Sequence, residues 1–235
     1  MTLTQAIEEV RRRADIENND VCTDSEIQSY LNLSQQELYG LLIQTYGADY
    51  ALSSGSLTYT GSSNTVALPS DFFKLRGVDV LTGGQYVTIK PFNLEERNLL
   101  ANIPNSIGAP WFSALRYRLS GNNLWIEPLP PACTVRLWYA PKLTALSAGT
   151  DTLIGYNGWE EYSIVDASIK VMQKQDLDVK VLFAQKGALI QRLNSEMENR
   201  DAGSPATVSD VYATGNAANG NGYGGFGAYG GGWWY

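Results

Sequence analysis

The sequence predicts an α+β protein: a helical bundle made from N- and C-terminal helix pairs, an inserted small β-domain, and an extended Gly/aromatic C-terminal arm. Three observations predict it. Apolar residues recur at steps of three and four in residues 3–46 and again in 159–202, the spacing of one helix face. Between these stretches the chain turns to period-two alternation punctuated by Gly, Pro, Ser and Asn, the pattern of short strands and turns. After Asp210 no charged residue remains. The expected division is therefore 1–51 with 152–203 for the bundle, 52–151 for the insert and 204–235 for the arm.

The C-terminal helix pair is the most strongly patterned stretch. Tyr162, Val165, Ile169 and Met172 share one face, as do Val179, Leu182, Phe183, Leu189, Ile190, Leu193 and Met197. The break falls at residues 175–178. Asn157 and Asp176 are expected to cap the two helices, and Gly203 with Pro205 stops the run. Such stripes need a partner, and the comparable one lies at the other end of the chain, so the two ends are expected to meet.

At that end, Leu3, Ile7, Val10 and Ala14 form a stripe, and Thr2 with Gln5 has capping-box spacing. Thr23 and Glu26 repeat that spacing before a second helix reaching about Tyr46, with Gly47 as its stop. Arg11, Arg12 and Arg13 close the first helix, where cations suit the helix dipole. They are candidates for a contact with phosphate, or for a solvated or subunit-facing patch.

Within the insert, KLRGVDVL and YVTI flank Gly83-Gly84 and predict a hairpin, as do RYRLS and LWIEP around Gly121-Asn122-Asn123. Residues 134–139 are a further strand, and Asn93 opens a short helix to about Asn102.

Composition narrows the chemistry. The 235 residues contain no histidine, which removes Ser–His and Cys–His pairs and HExxH metal sites. Cys22 and Cys133 have no metal-type spacing and read as reduced thiols of a protein made in a cytoplasm. A net charge of −7 gives no general attraction to nucleic acid. No apolar run is long enough to span a membrane, and residues 1–13 lack a signal-peptide core. A charged fraction of only 17% leaves much uncharged surface and points to an assembled protein.

Candidate reactive groups are few. Glu95-Glu96 and Glu160-Glu161 open helices, where carboxylates suit the dipole. Asp176 and Asp178 lack the further oxygen ligands that calcium needs. The Gly-rich tail has no Lys-Ser/Thr and is no phosphate loop. No catalytic residue, metal or cofactor is assigned. Trp111, Trp125 and Trp138 with Tyr117 and Tyr139 either fill cores and interfaces or form the aromatic sugar-binding platform of a carbohydrate-binding module.

Residues 215–235 hold nine glycines and six aromatics, Tyr223, Phe226, Tyr229, Trp233, Trp234 and Tyr235. Each aromatic can bury roughly 150–250 Å² against a partner. Fixing each glycine costs about 1–2 kcal/mol. A docked arm therefore needs most of its aromatics buried, or many copies acting together.

Several segments together resemble the head-to-tail adaptor (connector) proteins of tailed bacteriophages, especially short-tailed ones. They are RRRADIENNDVCTDSEIQSYLNLSQQELYGLL, LPSDFFKLRGVDV, KPFNLEERNLL, RYRLSGNNLWIEPLPP and the NGWEEYSIVDASIKVMQKQDLDV…NRDAG close, within residues 1–203. The resemblance implies a virion structural protein with no enzymatic activity. It implies a ring, usually a dodecamer, beneath the portal, with DNA passing through the lumen without specific binding. Tail nozzle or other tail proteins would meet its distal face, and the six arm aromatics would dock on the portal.

Overall fold

Two capping boxes start the N-terminal helices. The Gln5 amide donates to Thr2 Oγ1 at 3.4 Å while the Thr2 amide donates to Gln5 Oε1 at 3.0 Å, opening α1 (Leu3–Arg13). Thr23 and Glu26 exchange the same bonds at 3.3 and 3.0 Å, opening α2 (Asp24–Thr45). Each pair satisfies two amides that the first turn would otherwise leave unbonded. At 22 residues α2 is about 33 Å long. The computed structural model describes residues 1–16, 21–45, 47–101 and 111–198. Residues Met1–Arg200 form one compact unit.

The strands are β1 (Ser53–Tyr59), β2 (Thr65–Ala67), β3 (Phe72–Thr82), β4 (Gln85–Pro91), β5 (Arg116–Ser120), β6 (Asn123–Glu127) and β7 (Cys133–Pro141). They make one seven-stranded sheet in the order β1-β7-β3-β4-β5-β6-β2. All pairings are antiparallel except β4 with β5, which run parallel over Lys90↔Arg116 and Pro91↔Tyr117. The β3–β4 hairpin turns on Gly83 and Gly84 at φ 54° and 81°, joining Thr82 to Gln85. Two left-handed residues in succession match the twist of the flanking strands, and glycine adopts them without strain. The end strands β1 and β2 lie side by side, so the sheet is nearly closed and barrel-like. Inward residues fill it: Tyr59, Val78, Val80, Ile89, Leu124, Ile126, Val135 and Leu137 are all buried. The Tyr59 hydroxyl is satisfied inside by the Leu124 carbonyl at 2.8 Å.

The expected helical bundle with a small β-insert is therefore corrected. The architecture is mixed α/β, dominated by the barrel-like sheet, with five α-helices among the described residues. The reason is physical. Helix signals are local and strong, whereas closure depends on pairings between distant segments, such as Ser53 with Tyr139. Strands of three to eleven residues leave little local trace, yet each contributes inward residues to one shared core.

After the sheet come α4 (Glu160–Lys174) and α5 (Lys180–Glu198), while the short α3 (Arg97–Ala101) comes between β4 and β5 in chain order and contacts β6. The chain ends do meet: Leu3, Ala6, Val10, Ile27 and Leu31 pack with Ile164, Ala167 and Val171. Both expected caps are displaced. Asn157 and Asp176 sit at φ 52° and 56°, and Trp159 holds the N-cap position of α4. Asp176 instead follows the C-terminus of α4, and Asp178 accepts the Lys180 amide at 3.0 Å. Nor does α4 carry a single stripe, since its residues 162–169 are buried without interruption.

Helices and sheet are joined at the C-terminal end of α2. Tyr39 donates its hydroxyl to the Pro141 carbonyl at 2.6 Å, and Lys74 donates to the Ile43 carbonyl at 3.2 Å. Tyr39, Ile43 and Ala140 pack there. Leu137 is wholly buried, so Leu137→Ala is expected to lower stability by about 2–5 kcal/mol through cavity formation. Leu99→Ala, at a side chain 72% exposed, should change it by less than about 0.5 kcal/mol. Urea unfolding of the two variants checks the contrast.

Candidate assembly surfaces

The most concentrated polar chemistry lies inside the helical layer. Asp166 on α4 is 3% exposed. Its carboxylate accepts from Ser34 Oγ at 2.6 Å, from Lys170, and from Lys186 Nζ at 2.6 Å. Both lysines also reach Glu37, each at 3.2 Å. Lys186 lies 5.2 Å from the centre of the Tyr162 ring. Two carboxylates and two ammonium groups thus close a neutral knot across α2, α4 and α5. Beside it, Gln35 donates to Ser163 Oγ and accepts the Ile154 amide, both at 2.6 Å.

Burial alone would raise the Asp166 pKa. The bonds from Lys170, Lys186 and Ser34 outweigh it and hold the carboxyl below its usual range. Burial would likewise lower Lys186, and the Asp166 bond reverses that, so the ammonium is held well above its usual value. The Asp166 contribution is therefore complete above the ordinary carboxylate range and is lost as pH falls through the depressed folded value. The Lys186 contribution is complete below the ordinary lysine range and is lost as pH rises from there through its raised folded value.

The N-terminal arginines are largely committed within the chain. Arg13 forks onto Glu161 at 2.6 and 3.0 Å and reaches Glu9 at 3.1 Å. Arg11 bonds Asp24 at 2.6 Å and the Cys22 carbonyl at 3.0 Å. They tie α1 to α4 and to the start of α2. Arg12 contacts Glu9 at 2.9 Å and keeps its side chain 72% exposed.

The candidate aromatic platform is dispersed. Tyr117 and Tyr139 belong to the barrel core. The Trp138 indole donates to Asp79 at 2.6 Å, and the Trp125 indole donates to Glu127 at 2.8 Å. Strands β3, β4 and β5 stand between their two strands. The side chain of Trp111 lies outside the described residues, as do Tyr223, Phe226, Tyr229, Trp233, Trp234 and Tyr235. Of the paired glutamates, Glu96 accepts the Asn93 amide at 3.0 Å and Glu161 receives Arg13.

An open groove of ≈ 980 Å³ lies under the 141–156 connection, lined by Gln35, Tyr39, Tyr50, Leu146 and Tyr156 among others. The ionisable groups on it are engaged. Asp151 accepts the Ser147 and Ala148 amides at 2.7 and 2.8 Å, and Lys142 donates to the Ser70 carbonyl at 3.0 Å. Among the described residues, no three acidic or cysteine side chains gather closely enough to hold a metal ion, and no helix is long and apolar enough to cross a membrane.

Comparison with known families decides the class. The family model described as SU10 adaptor protein matches residues 1–209. The chain belongs to the SU10 adaptor protein family. No curated protein matches it. As a member of that family it has a bacteriophage adaptor's structural role in the virion neck or tail region, working through contacts with other phage proteins.

The residues that lock the adaptor's helices, Ser34, Gln35, Asp166 and Lys186, were not singled out from the sequence. A signal exists for two of them. Asp166 falls in phase with Tyr162, Val165 and Ile169, and Lys186 interrupts an apolar run, so each charge sits where an inward residue is expected. Removing the shared carboxylate leaves two ammonium groups facing one partner. Asp166→Ala is expected to cost about 3 kcal/mol, towards the lower end for a broken buried pair because the lysines are partly exposed. Chemical denaturation as a function of pH checks it: the loss should be full at neutral pH and shrink on acidification, as the native carboxyl becomes protonated.

Proposed function

We propose that this adaptor assembles as a ring, a dodecamer, that joins the portal to the tail and leaves a channel for DNA. The observation that carries the reading is the adaptor-family match over residues 1–209. The rest of the molecule agrees with it. A chain with net charge −7 and 17% charged residues favours DNA sliding past over DNA being held. Arg12 is the N-terminal arginine available to a lumen or a neighbour. The arm from residue 204 onwards docks on the portal through Tyr223, Phe226, Tyr229, Trp233, Trp234 and Tyr235. Weak aromatic contacts repeated around a ring gain strength from effective concentration. The tail nozzle or other tail proteins meet the face away from the portal.

Negative-stain imaging of the purified chain with and without portal rings tests this. A ring seated on the portal is expected, and a chain that stays monomeric and ignores the portal would sink the proposal. Truncation after Asp210 is expected to leave the unfolding transition unchanged while portal affinity falls by on the order of a hundredfold. Unchanged affinity in a sedimentation or interferometry titration would remove the docking role from the arm.

A further inference from the structure

We propose that the first half of α5, residues 180–189, is a latched segment that opens while the rest of the fold stays closed, with Lys186 as its latch. The inference concerns a single molecule and stands whether or not copies form a ring.

The two halves of α5 are held by different means. Leu193 and Met197 are buried and pack with Leu38, Leu42, Trp159 and Tyr162, and Glu196 accepts the Trp159 indole at 2.6 Å. Withdrawing that half would empty a core. In residues 180–189 no side chain is buried. Val181 is 80% exposed and Phe183 49%, while Leu182, Lys186 and Leu189 are half-buried. Among the described residues, the side-chain hydrogen bonds from this half to other helices are those of Lys186 to Asp166 and Glu37, and of Gln185 to Glu161 at 3.3 Å.

Opening orphans none of the partners left behind. Asp166 keeps Lys170 and Ser34. Glu37 keeps Lys170 and the Tyr162 hydroxyl, the latter at 3.3 Å. Glu161 keeps both bonds from Arg13. Lys186 and Gln185 pass into water. A buried polar group left without a partner is what makes such an opening unfavourable, and here there is none. What is lost is one ammonium from a cluster of two carboxylates and two lysines, together with the partial burial of Leu182 and Leu189.

The helix is also intrinsically weak over this half. Its first turn carries no carboxylate and opens on Lys180, a cation at the positive end of the helix dipole. Asp178 accepts the Lys180 amide, but no closed capping box like those of α1 and α2 starts the helix. Gly187 follows the latch directly. Glycine weakens a helix interior because it has more backbone freedom to lose on folding. Packing does not require it there, since an added Cβ would meet nothing within 4 Å. The corner before α5 is already a turn, with Asp176 at φ 56° and Leu177 exposed. Opening therefore runs from this corner past Gly187 and stops at the Leu193 and Met197 anchors. Residues 175–189 can thus change place while α1, α2, α4 and the sheet keep theirs.

Native-state hydrogen exchange of the full chain tests this. Amides 184–189 lie past the first turn of α5, so their protection reports the helix, and amides 164–171 of the buried α4 report unfolding of the whole. The first group is expected to exchange at least about a hundredfold faster than the second. Urea well below the unfolding midpoint should accelerate the second group and leave the first within about twofold, because a small opening exposes little surface. Lys186→Met keeps the aliphatic stem and removes the charge, and is expected to speed the first group by about tenfold or more. Gly187→Ala is expected to slow it by about threefold. The inference is overturned if both groups share one rate and one urea dependence, since residues 180–189 then open only with the whole fold. It is also overturned if Lys186→Met leaves the first group unchanged, since the latch then lies elsewhere.

Discussion

Burial of α4 on nearly every side is the constraint on which the helical layer depends. A helix so placed must bring its polar residues inside, and each then needs a partner. Asp166 is the most demanding of these. A lone ionised carboxylate at that depth would be protonated or would not be tolerated. It is met by Ser34 from α2, Lys170 from its own helix and Lys186 from α5, so one charge specifies how three helices sit together. Apolar contacts near the knot tolerate sliding, whereas these bonds do not. The exchange between Gln35, Ser163 and the Ile154 amide extends the same specification to the chain entering α4.

The sheet obeys a different constraint. Its strands include one of three residues and two of five, too short to be stable singly or as isolated hairpins. They hold because the sheet curls until β1 lies beside β2, so that the inner face of every strand finds the others. The parallel β4–β5 junction, only two residue pairs long, is the seam at which the β1-β7-β3-β4 part meets the β5-β6-β2 part. The buried Tyr59 hydroxyl crosses the interior to the Leu124 carbonyl and links the two parts from within.

Legibility followed the range of the interactions. Capping boxes at Thr2 and Thr23, the Gly83-Gly84 hairpin and the meeting of the chain ends were readable because each rests on spacing within a few residues or on a long apolar stripe. Sheet closure was not, because alternation in β1 or β7 states which residues face inward but not that Ser53 will lie opposite Tyr139. The caps at Asn157 and Asp176 misled for a related reason. Both residue types suit N-caps, but they also tolerate left-handed backbone, and here the chain uses that property to turn. At the candidate surfaces, the arginine cluster was visible while its commitment to Glu161 and Asp24 was not. Those carboxylates come from other helices, and their approach is a property of the packing.

The join between helices and barrel has a mechanical consequence. Helix α2 runs unbroken between two anchored ends, with Arg11 and Lys174 bonded to its first turn and Lys74 to a carbonyl in its last. A force that pushes the barrel along this axis meets no hinge. It must compress or buckle a hydrogen-bonded rod whose flank is braced by Asp166 and its lysines. Axial thrust would thus pass through α2 as through a strut, and deformation would fall on the connections outside it.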